Sequence, residues 1–130
     1  MNIITTIRSA AVVVLLAFVA LAASAKEVPF TQAAFDKAVA AGQPVIVHVQ
    51  ASWCPTCKVQ RPIVESLLQD PKRKNVTLFS ADFDTEHALK KQLRVAQQST
   101  FVVFKAGKEV GRSTGETDKG RIESLFDKAL

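Results

Sequence analysis

Apolar residues are spaced in three ways along this chain. Ala10 to Ala23 is an unbroken apolar run of 14 residues. Val45 to Gln50 (VIVHVQ), Val76 to Phe83 and Thr100 to Lys105 (TFVVFK) are short stretches rich in β-branched and aromatic residues, which predicts buried strands. Elsewhere apolar residues return every three or four positions, the spacing of a helix with one buried face. Phe35, Ala38 and Val39 form such a stripe over Gln32 to Ala41, with Thr31 placed to cap it and Gly42 to end it. Ile63, Val64, Leu67 and Leu68 form another, in a helix from Pro55 to about Gln69 that contains Pro62; a proline there donates no N–H and should kink it. A short helix over Glu86 to Leu93 is expected after a Thr85 cap. A last helix, capped by Asp118, carries Ile122, Leu125, Phe126 and Leu130. Ala106-Gly107 should turn the third strand back into a fourth, Glu109 to Ser113, and a short strand near Val28 to Phe30 would precede them all.

The order helix, strand, helix, strand, helix, strand, strand, helix predicts an α/β domain. Strands joined through helices pair in parallel, and the tightly turned pair is antiparallel. A central mixed sheet of four to five strands with helices on both faces follows. Phe30, Phe35, Phe79, Phe101, Phe104 and Phe126 are its expected core. There is no internal repeat, low-complexity tract or interdomain linker.

The 14-residue apolar run sets the first 25 residues apart. It is preceded by Arg8 and no acid, and followed by Ala23-Ser24-Ala25, small residues where a signal peptidase reads. A membrane-spanning helix needs about 20 apolar residues. The layout is that of a cleaved signal peptide, residues 1–25, with cleavage between Ala25 and Lys26 and a mature domain over residues 26–130. The expectation is a periplasmic or otherwise exported protein.

Without Arg8 the domain keeps 16 basic against 12 acidic residues. Its basic clusters, Lys72-Arg73-Lys74 and Lys90-Lys91, are not interleaved with aromatics and read as solvated surface, so nucleic-acid binding is not expected.

Both cysteines lie in one stretch, Trp53-Cys54-Pro55-Thr56-Cys57, between a predicted strand and a predicted helix. Pro55 suits the first helical position, which puts Cys54 at the cap and Cys57 in the first turn. Unpaired N–H groups and the helix dipole favour negative charge at Cys54, making it the attacking sulfur, with Cys57 resolving the mixed disulfide. Three readings compete. A purely structural Cys54–Cys57 disulfide would close a minimal loop and stabilise little. A zinc site needs about four ligands, and the histidines are only His48 and His87; His87 reads as an exposed residue of a short helix. A redox-linked metal-binding or metallochaperone module using Cys54, Cys57 and His48 is the alternative from another class. In an exported chain, a C-x-x-C between strand and helix points most strongly to a redox pair.

At these residues the chain resembles the thioredoxin family, across nearly all of Lys26 to Leu130. ASWCPTCK is similar to the family's Trp-Cys-x-x-Cys-Lys segment. Pro62, eight residues after Cys54, falls where the family's active-site helix is kinked. Phe104 to Gly115 (FKAGKEVGRSTG) resembles its last hairpin, and Asp118 to Ile122 (DKGRI) the start of its last helix. The resemblance implies a thioredoxin fold, a Cys54–Cys57 redox disulfide, and thiol–disulfide exchange with exported disulfide-containing proteins. It implies a substrate surface of Trp53, Pro55, Thr56, Gln98, Ser99 and Thr100, with Lys58 adding positive potential. No cofactor or metal is implied. A membrane-bound thiol donor or acceptor, a monomeric state and a role nearer reductant than oxidant complete the expectation.

Three departures from the family pattern stand out. Pro-Thr replaces Gly-Pro between the cysteines. Ser99 stands where the family has a cis-proline; a cis bond before a non-proline costs about 2.5–4 kcal/mol, so a trans Gln98–Ser99 peptide is expected, and Ser99 is read either as a simple loop substitution or as a change that alters substrate docking and turns its hydroxyl to the sulfurs. His48 stands at the family's buried aspartate, whose lysine partner falls near Ser80. His48 is read either as a hydrogen-bonded core histidine or as a proton acceptor for Cys57.

Overall fold

A computed structural model describes residues 25–130 of the chain. The expected signal peptide lies outside the described residues, apart from Ala25. The elements run β1 (Lys26–Pro29), α1 (Gln32–Ala40), β2 (Val45–Gln50), α2 (Pro55–Leu68), β3 (Thr77–Asp82), α3 (His87–Leu93), β4 (Thr100–Lys105), β5 (Lys108–Thr114) and α4 (Lys119–Asp127), with a 3₁₀ turn at Pro71–Arg73. The sheet order is β1-β3-β2-β4-β5. β3 pairs in parallel with β1 and β2, while β4 pairs antiparallel with β2 and β5. The expected mixed sheet is therefore present, with five strands. Its first strand is β1, slightly earlier than Val28 to Phe30.

Alternation along β2 divides the core. Val45, Val47 and Val49 face a cluster with Phe30, Phe35, Ala38, Phe79, Leu89, Val102 and Phe104, under α1 and α3. Ile46 faces Val64, Leu67, Leu78, Phe101, Val103, Ile122, Leu125 and Phe126, under α2 and α4. Val45 to Val49 are buried on both faces, with His48 the one polar side chain among them, and a strand so buried reads as a near-continuous apolar run. All six phenylalanines expected in the core are buried.

The caps follow local chemistry. The Thr31 hydroxyl accepts from Ala34 N–H at 3.3 Å and the Asp118 carboxylate from Arg121 N–H at 2.9 Å, each satisfying a free donor of the first turn. Thr85 does not cap α3; Glu86 occupies that position with no side-chain bond. The Asp82 backbone carbonyl already accepts from Thr85 and Glu86 N–H, and the Thr85 carbonyl from His87 N–H, so the turn needs no hydroxyl. Leu130 is another correction. α4 ends at Asp127, Leu130 is exposed, and Ala129 fills the core instead. Ala106 and Gly107, both at positive φ (50° and 79°), make the tight β4–β5 turn. A Cβ on Gly111 would meet Leu125 at 2.9 Å, so the glycine lets α4 lie close against β5.

The basic run Lys72-Arg73-Lys74 is not simply solvated surface. Arg73 is fully buried: its guanidinium donates to the Leu67 carbonyl at 3.1 Å, to Glu123 at 3.1 Å and to Asp127 at 2.6 Å, fastening the 3₁₀ turn to α4. A charge without water needs such paired, directed acceptors.

Candidate active site

β2 runs through the middle of the sheet and ends at Gln50, which delivers the next residues to the sheet's carboxyl edge. The Cys54 N–H bonds the Ala51 carbonyl at 3.2 Å, closing the turn. Cys54 then caps α2 with extended backbone (φ −80°, ψ 114°), Pro55 opens the helix, and the Cys54 sulfur accepts from the Cys57 N–H at 3.1 Å. This is the arrangement the spacing predicts: a sulfur capping a helix, where negative charge is favoured. Neither cysteine is disulfide-bonded, and both are buried (1 % and 0 % exposed) against Ala51 and Phe83.

The two sulfurs are not equivalent. Burial and the hydrogen bond with Cys54 push the Cys57 thiol above its ordinary range; backbone groups of Ala51 and Ser99 pull the other way. Cys57 thus rests as a thiol. The available chemistry is a two-step exchange. The Cys54 thiolate attacks a substrate disulfide, forming one S–S bond and releasing one substrate thiolate. Cys57 then attacks the mixed disulfide at Cys54 sulfur, releasing the second thiolate and leaving a Cys54–Cys57 disulfide. Two electrons pass to the substrate; of the two protons its thiolates take up, one is the Cys57 thiol proton and the other is returned by the water that took it when Cys54 ionised.

Trp53 is 54 % exposed beside Cys54, as expected of a contact residue. Its indole N–H donates to Asp84 at 2.7 Å, and Asp84 N–H in turn bonds the Asp82 carboxylate at 2.7 Å. Pro55 and Lys58 are exposed and Thr56 is half-buried. The Gln98–Ser99 peptide is trans, since no cis bond occurs among the described residues. Ser99 adopts φ 56°, a region few non-glycine residues enter. Its hydroxyl makes no hydrogen bond to either sulfur. It donates to the Gln98 carbonyl at 2.6 Å, the nearest acceptor that a serine in this conformation meets, and the Ser99 backbone approaches Cys57 instead. Thr100 is buried, its hydroxyl bonded to the Gln97 carbonyl at 2.8 Å and paired with Thr114 at 2.9 Å. Its side chain is therefore not offered to a substrate, whereas Gln98 is half-buried at the surface.

His48 is buried beside Phe101, its ring stacked at 4.3 Å, and lies opposite Ser80 in the β2–β3 register, as expected. No hydrogen bond joins it to Cys57. Its Nε2 meets the Gln60 amide oxygen at 2.9 Å. Burial pushes its pKa down to about 4, so the ring is neutral at neutral pH. His87 is exposed, as expected. Among the described residues no three His, Cys, Asp or Glu side chains are grouped to hold a metal. With His48 Nε2 committed to Gln60, the arrangement does not favour the metal-binding alternative.

Sequence reasoning passed over Gln60 and Asp84. Gln60 carried a signal: Cys57, Gln60, Val64 and Leu67 share one helical face, so a polar residue sits on a buried stripe. Asp84 carried only the Asp-x-Asp spacing after β3.

The thioredoxin family model matches residues 26–128. This chain belongs to the thioredoxin family. A thioredoxin of Chlamydia trachomatis is 34% identical over 98 residues, covering 75% of this chain and 93% of that protein. Among solved structures, Trxlp from Edwardsiella tarda EIB202 is 40% identical with a TM-score of 0.76, covering 78% of this chain and 98% of that one. Malassezia sympodialis thioredoxin, at 20% identity and a TM-score of 0.70, covers 82% of this chain and 93% of its own, a likeness of fold. The thioredoxin assignment makes the chain a thiol–disulfide oxidoreductase, and the C-x-x-C at the start of α2 is the part of the fold that carries that chemistry.

Proposed function

We propose that this thioredoxin works after export, as a monomer that reduces or reshuffles disulfides in exported proteins and receives its electrons from a membrane-bound thiol donor. The observation that carries the reading is the Cys54–Cys57 pair on α2, with Cys54 as helix cap and Cys57 a buried thiol with a raised pKa. The apolar run ending at Ala23-Ser24-Ala25 supports export. An oxidising compartment offers no soluble reductase, which supports a membrane donor.

The test is a reduction potential together with insulin reduction. The Cys54–Cys57 couple is expected near −270 mV, the reductant end of the range; a value near −120 mV would make the protein an oxidant and overturn the direction proposed. Insulin reduction should survive a chelator and disappear in Cys54→Ser, while Cys57→Ser should accumulate a mixed disulfide visible by mass spectrometry. In a Gram-negative host, fractionation should find a shortened chain beginning at Lys26 in the periplasm; full-length chain in the cytosol would refute export.

A further inference from the structure

Gln60 is fully buried one helical turn beyond Cys57. Its amide nitrogen lies 3.2 Å from the Ser99 carbonyl and 2.9 Å from the Glu116 carbonyl. Carbonyl oxygens only accept, so the NH₂ must face them and the amide oxygen must face His48. The 2.9 Å contact then requires His48 Nε2 to carry the proton. One amide orientation and one imidazole tautomer satisfy all three bonds. The stack on Phe101 holds the ring plane, and a ring that stays neutral down to about pH 4 keeps the same tautomer over the working range.

The two carbonyls belong to different segments. Ser99 precedes β4 and Glu116 follows β5; the Gly115 N–H bonds the same Ser99 carbonyl at 2.9 Å, tying the segments to each other. Gln60 ties both to the helix that bears the cysteines. Ser99 holds a left-handed conformation here without a rigid ring to enforce it, so its place depends on what grips its carbonyl.

We propose that Gln60, oriented by His48, is a positioning residue that sets the Ser99 and Glu116 segments at the height where a disulfide-bearing polypeptide docks beside Cys54. His48 acts through Gln60 and not on the cysteines. The inference rests on the exchange activity proposed above. A buried polar pair serving the core alone would weaken stability without changing how substrate is held.

The experiment is steady-state insulin reduction, with dithiothreitol as electron source, by wild type, Gln60→Met, His48→Leu and the double variant. Loss of one of the two donors to the Ser99 carbonyl, together with the donor to the Glu116 carbonyl, is expected to raise KM about tenfold in Gln60→Met, with kcat changed less than about twofold. His48→Leu should raise KM about threefold. The double variant should be no worse than Gln60→Met, because both act along one chain of bonds. An unchanged KM, an equal fall carried by kcat, or additive single effects would each overturn the proposal. Should Gln60→Met not fold, Gln60→Leu, similar in size and with no N–H to offer the two carbonyls, takes its place. It should show the same KM rise, and a normal KM would overturn the proposal. A wild-type protein that reduces no insulin refutes the exchange reading itself; an active wild type with unaltered variants refutes only the role of Gln60.

Discussion

The two faces of the sheet are built on opposite terms. Under α1 and α3 lies a dry cluster in which Phe35 contacts Phe30, Phe79 and Phe104 with ring centroids 5.4–5.9 Å apart. Under α2 and α4 the apolar packing is interrupted by three buried polar side chains, His48, Gln60 and Arg73. The first face needs only shape and volume. The second needs most of its polar groups met from distant parts of the chain, and Gln60 brings it within one helical turn of Cys57. Stability and chemistry are thus loaded onto different sides of one sheet.

The hardest blow to that division falls on the dry face. Phe35→Ala should cost about 3–5 kcal/mol in chemical denaturation, yet leave insulin-reduction kcat/KM of the folded protein within about twofold. A matching loss of activity would show that the faces are not separable.

That dry face was also the legible one. Its strands and helices follow from periodicity alone, because each apolar residue carries its own instruction to be inside. The polar face was not legible in the same way. Gln60 meets partners 39 and 56 residues away, and no local spacing announces them. Arg73 looked like part of a solvated basic turn because its acids, Glu123 and Asp127, sit some 50 residues later on α4. The cysteine pair was legible because its chemistry is local: cap, proline and second sulfur lie within four residues. Ser99 was half legible. Its trans peptide follows from residue type, but its hydroxyl turns to its neighbour's carbonyl.

A second test, smaller in effect, uses pH to interrogate the polar face. His48 titrates near 6.5 when unfolded and near 4 in the fold. Between those values the unfolded chain binds more protons, so stability is full above about pH 6.5, declines as pH falls towards 4 and flattens below, a loss of about 3 kcal/mol. His48→Leu should lack that decline. Acid sensitivity of the Arg73 cluster lies lower. Its hydrogen bond holds the Glu123 carboxyl beneath the ordinary 4.5, so that contribution disappears only as pH falls below about 4.5. Denaturation midpoints at closely spaced pH values should resolve the two windows, and an unchanged decline in His48→Leu would refute the assignment.

The smallest effect is expected at the rim. Trp53→Phe removes the exposed indole bond to Asp84 and should alter stability by less than about 1.5 kcal/mol. If the exposed indole meets the substrate, as the family resemblance implies, its larger effect should be on the KM for insulin, a twofold to threefold rise. A stability loss as large as that of Phe35→Ala would mean that the rim is structural after all.

Trp53 has one more consequence. The described domain contains no other tryptophan and no tyrosine, and the indole adjoins Cys54 in the chain. Disulfides quench indole emission and thiols do so less. The protein therefore carries a single built-in fluorophore next to its reacting sulfur. Each passage between dithiol and disulfide can be followed as a change in light, with no label attached and no other emitter in the background.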